Sequence, residues 1–146
     1  MRALLAASVL TAALSLAGPA TPRDQVPAET RDIPWKGVLP DCNDIWVLSF
    51  VSDHFADKES YYWNSSLKIT QYDHIQSLGY RQWGLEYIPR RFCTAKALLS
   101  DGIWRTVNYS VRESLGYIGG TWGVEFCVVG LDRNLAYAPE CKMAAP

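Results

Sequence analysis

The chain has little of what marks a reactive site in a small protein. It holds two histidines, His54 and His74, and neither belongs to an H-E-x-x-H spacing. None of its four cysteines forms a C-x-x-C pair, which excludes zinc-ribbon and thioredoxin-type readings. G-x-G-x-x-G and the P-loop lysine are absent; "GYIGGTWG", residues 116–123, reads as a glycine-rich connection between strands. An excess of one charge is missing too. Fourteen basic residues face fifteen acidic ones, so there is no footprint for nucleic acid and no strong acidic field. Glu86, Glu113 and Glu125 lie on separate segments with no sign of a glycosidase carboxylate pair. No cofactor and no metal site are indicated.

What is present is a globular composition: 49% hydrophobic and 20% charged over 146 residues, enough for one domain with a core. The first twenty residues, "MRALLAASVLTAALSLAGPA", place Arg2 before an uncharged apolar run and end in small residues. We expect a signal peptide over 1–20, shorter than the roughly 20 apolar residues that span a bilayer, and hence no stable membrane insertion after cleavage. The product is expected to be periplasmic or secreted. Residues 21–40 carry four prolines and mixed charge and read as a linker; residues 41–146 form the single disulfide-stapled domain. All four cysteines, Cys42, Cys93, Cys127 and Cys141, fall in that domain, and an even number in an exported chain predicts two disulfides.

"DCNDIWVLSFVSDHFADKESYYWN" begins with capping residues and runs without Gly or Pro, predicting a helix over 42–62, with a strand over "IWVLSFV" as the rival reading because its β-propensity is high. Leu48, Ser52, Phe55 and Glu59 share its expected inward face, flanked by Ile45, Val51 and Tyr62. A strand is expected near Leu67–Ile75. Asp101-Gly102 then splits two alternating runs, a hairpin signal, with Ala95, Ala97, Leu99, Val107, Tyr109 and Val111 on one face. The last strand is expected over Val124–Leu131, with Val124, Phe126 and Val128 inward and Glu125 and Cys127 outward. The sum is α+β: one N-terminal amphipathic helix packed on a three- to four-stranded antiparallel sheet, an element order shared with cystatin-like arrangements.

Strand parity also bears on the cysteines. Cys93 shares the inward parity of Ala95 and Cys42 opens the helix, while Cys127 faces outward where the tail returns. Cys42–Cys93 and Cys127–Cys141 are the favoured pairs of three possible connectivities. Asp53-His54 and Asp73-His74 are adjacent acid–imidazole pairs, and His54 to Asp57 is an i, i+3 spacing. Six Trp and eight Tyr are the most unusual feature, concentrated in "SYYWN" and in "GYRQWGLEYIPRR". Tyr80, Trp83, Tyr87, Arg90 and Arg91 are the candidate binding residues, because aromatics interleaved with arginine suit a glycan, a peptide or a protein partner.

Two stretches, "YIPRRFCTAKALLSDGIWRTVNYSV" and "GVEFCVVGLDRNLAYAPECKM", resemble a family of small exported proteins common in alphaproteobacteria. The resemblance covers roughly Asp41 to Met143, with the four cysteines and Trp63. It implies a bacterial envelope or secreted protein and brings no catalytic residues with it. The sequons at Asn64 and Asn108 are accordingly read as chance matches. The expected function is a non-enzymatic, inhibitor-like or binding module for an envelope protein or glycan. The alternatives are a small hydrolase or ligand-pocket protein using His54 or His74 with a nearby acid, and a structural subunit of an envelope complex.

Overall fold

In the computed structural model, which describes residues 35–82 and 88–146, Asp44 opens helix α1 (Ile45–Trp63). Its carboxylate accepts from the Trp46 N–H at 2.8 Å, satisfying one of the otherwise unpaired amides of the first turn. Asn64 closes the helix in the left-handed region, φ 49°, and its N–H donates to Glu59 O. The buried line is Val47, Val51, Phe55 and Glu59, at successive four-residue steps. The expected face is thus turned away from the true one in its first half: Val47 and Val51 replace Leu48 and Ser52, and Ile45 and Tyr62 are exposed. α1 carries large side chains on two sides, so periodicity alone does not select the side that meets the sheet.

Four strands follow: β1 (Ile69–Arg81), β2 (Arg90–Leu99), β3 (Trp104–Arg112) and β4 (Gly123–Val128). They pair antiparallel in the order β1-β2-β3-β4, and α1 packs across one face, which gives the expected α+β class. β1 runs past its expected end at Ile75 to Arg81, because its polar second half pairs with β2 through bulges that disturb alternation. β4 stops at Val128 instead of Leu131. There the chain turns, with Gly130 at φ 84° and the Leu131 N–H donating to Val128 O.

The core lies between α1 and the inner face of the sheet. Ala95 and Ala97 are small and let the helix approach; Val107, Tyr109 and Val111 fill the centre and are fully buried. The Tyr109 hydroxyl is satisfied there by donating to Cys42 O at 2.7 Å. Disulfides join Cys42 to Cys93 on this inner side and Cys127 to Cys141 on the outer side, the two pairs that strand parity favours. In the chain-entropy account they restrain the unfolded chain by about 4 and about 3 kcal/mol respectively. No cysteine is left free. Leu39 is buried in the core and the N–H groups of Lys36 and Gly37 donate to the Glu113 carboxylate, so ordered packing starts upstream of Asp41. Proline content gives no hint of these backbone partners.

Two disulfides fit an oxidising, extracytoplasmic setting. Among the described residues no helix is long and apolar enough to cross a membrane.

Candidate functional site

β4 pairs with β3 on one side, and among the described residues no strand covers its other side. The register shows which backbone groups this leaves outward. Val129 N–H donates to Thr106 O, so the opposed pair Thr106 and Val129 is a hydrogen-bonded one. Such pairs alternate along an antiparallel ladder, which makes Asn108–Cys127 and Ser110–Glu125 hydrogen-bonded as well. The N–H and C=O groups of Val124 and Phe126 therefore point away from the sheet.

They point into a groove of about 840 Å³. One wall is a flank of α1, with Phe50, His54, Asp57, Lys58, Tyr61 and Tyr62; the floor is Val124 and Phe126; the far wall is Glu125 and Tyr137. Each wall has a local cause. The α1 residues recur at three- and four-residue steps along the flank of the helix beside its buried Val47–Val51 line. Tyr137 is set by Asp132, whose carboxylate accepts from the Ala136 and Tyr137 N–H groups at 3.1 and 2.8 Å, and by the Cys127–Cys141 bridge beyond it. Arg133 fastens the same loop to the helix through Glu59, a carboxylate 2% exposed, at 3.0 Å.

The charges in the groove are unequally engaged. Glu125 is shared by Arg90 and Arg112 at 3.5 and 3.4 Å. Lys58 Nζ lies 5.5 Å from the centroid of the Phe126 ring. Asp57 takes part in no hydrogen bond or ion pair among the described residues. Burial pushes the Tyr137 phenol above its ordinary range, with Glu125 and Asp132 adding to the effect.

The histidines do not share a site. His54 lines the groove and packs at a tilt against Phe50, centroids 3.9 Å apart, with no hydrogen bond to Asp57 or Ser60 among the described residues. His74 lies on β1, at the opposite edge of the sheet, with its side chain 70% exposed and Nδ1 3.0 Å from Asp73. It occupies a bulge at φ 49°, and the Asp73 carboxylate also accepts its N–H. Asp73 and His74 thus shape the backbone. With every cysteine bridged, no thiolate is available as a nucleophile. Among the described residues no three His, Cys, Asp or Glu side chains gather as metal ligands.

The arginine-rich segment is divided by the sheet. The Tyr80 hydroxyl donates to Gly37 O, and Arg91 lies 4.2 Å from the Tyr80 ring centroid and 3.1 Å from Asp41. Together they hold residues 37–41 against the domain. Arg90 is on the outer face, 5.6 Å from the Phe92 ring centroid and beside Glu125. Trp83 and Tyr87 lie outside the described residues. Of the groove, the sequence signals Tyr61 and Tyr62 through "SYYWN" and His54 with Asp57 through their spacing. Phe126 and Tyr137 carry no signal, since only the sheet order brings them beside α1. Comparison with protein-family models, curated proteins and solved structures gives no match.

Proposed function

We propose that this protein is an exported binding module that takes an extended peptide segment of an envelope partner into the groove beside β4. The observation that carries the reading is the pair of outward-facing residues Val124 and Phe126 at the floor of an aromatic groove. An added strand supplies main-chain partners for those N–H and C=O groups, while its side chains meet α1 on one side and Tyr137 on the other. The apolar run read as a signal peptide over residues 1–20 and the two disulfides favour a periplasmic or secreted site of action.

The test is selection of a displayed random decapeptide library on the mature protein and on a Val124→Pro variant. A proline at 124 removes one outward N–H and leaves the β3 ladder intact. Enrichment that needs the unmodified edge supports strand capture. Equal enrichment on both proteins sinks it.

A further inference from the structure

Resting on that reading, we infer that the captured strand presents a lysine or arginine to the α1 wall: the partner segment is a basic residue set among apolar, strand-forming neighbours. The argument is one of charge and ring chemistry. Phe50, Tyr61 and Phe126 line the groove with aromatic rings, and Tyr61 is 82% exposed. Among them stands Asp57, a carboxylate without a partner among the described residues, while Glu125 on the far wall is already held by two arginines.

The chain itself marks where a cation rests, since Lys58 holds its ammonium over the Phe126 ring. Side chains of an added strand alternate between the two walls, so every second residue meets the rings and Asp57. A lysine or arginine there lays its aliphatic stem on the rings and carries its charge to the carboxylate. An acidic residue in the same place meets Asp57 with like charge.

The same library selection decides the point when the enriched peptides are sequenced. We expect Lys or Arg at one position at several times its library frequency, and loss of that bias on Asp57→Asn, an exposed substitution. Lys58→Met clears the resident ammonium and is expected to tighten a selected Lys peptide by roughly 3- to 10-fold. Enrichment that needs the β4 edge but shows no basic bias, or an acidic one, overturns this inference and leaves strand capture standing. No edge-dependent enrichment overturns both. Were the proline variant to unfold, a selected peptide N-methylated on alternate amides tests the edge from the other side: unchanged affinity counts against strand capture. A dimer in light scattering that dissociates in Val124→Pro assigns the groove to a second copy of the chain and also overturns the inference.

Discussion

Among the described residues β1 and β4 are the two edges of one sheet, built in opposite ways. β1 uses thirteen residues to pair with the ten of β2, through three register shifts. One shift contains His74 at φ 49°, pinned by Asp73, and much of the strand is polar and exposed. β4 has six residues, "GVEFCV", and pairs with β3 without a shift. Bulges and charge are how proteins keep an edge from pairing with other chains. β1 is guarded in this way, whereas β4 is left straight, apolar and bordered by rings. The proposed strand capture thus suits the β4 edge and not the β1 edge.

The largest expected effect tests the backbone assignment of β4 itself. Glu125→Pro removes an N–H that donates into the sheet, together with two ion pairs, and is expected to cost about 3 kcal/mol or more in denaturant unfolding. Val124→Pro, one residue away, is expected to cost only about 1 kcal/mol. Equal losses would mean that the outward set has been taken one residue out of register. The double variant Cys127→Ala, Cys141→Ala comes next, with about 3 kcal/mol lost. It also frees the tail, so bound peptide should weaken together with stability; unaltered peptide affinity would remove Tyr137 from the site.

Arg133→Met leaves Glu59 buried without its cation and is expected to cost about 2–3 kcal/mol, more than Glu59→Gln. The reverse order would show that the pair is held by solvent and not by burial. At the β1 edge, pH is the probe. Burial pushes the Tyr72 phenol up to about 12, the Ser52 hydrogen bond opposes this and Asp53 adds to it. An unfolded tyrosine ionises near pH 10, so the contribution is complete below that pH and is lost as pH rises toward 12. Stability should fall across that window, and Tyr72→Phe should flatten the fall; an unchanged curve assigns it to other groups, such as the buried Tyr109. The smallest change is His74→Gly, expected to be neutral or to stabilise by up to about 1 kcal/mol, because glycine takes a positive φ without strain. A loss larger than that would give His74 a role beyond the bulge.

Much of the inner architecture is legible in the residues. Ala95, Ala97, Leu99, Val107, Tyr109 and Val111 alternate plainly, and Asp101-Gly102 marks the turn between their strands. That alternation carries the cysteines with it, so the inward Cys93 and outward Cys127 can be sorted before any coordinates. α1 is legible as a helix through the Asp and Asn residues before it and its long run free of Gly and Pro, although it starts at Ile45 and not at 42. Its buried side is not, because Trp46, Phe50 and Tyr61 are as apolar as Val47 and Val51. The candidate binding segment shows the same difficulty. Tyr80, Arg90 and Arg91 are neighbours in sequence, yet successive strand residues point to opposite faces, and two of the three bind residues 37–41.

By itself, the sequence determined the α+β class, the hairpin and the parity of the cysteines, all of which depend on neighbours within a few positions. Only the tertiary structure decided that β4 ends the sheet, that α1 shows a second ringed side beside it, and that Tyr137 returns to close the groove. Those relations join residues 50–62, 124–126 and 137, and no local propensity encodes which strand is left without a partner.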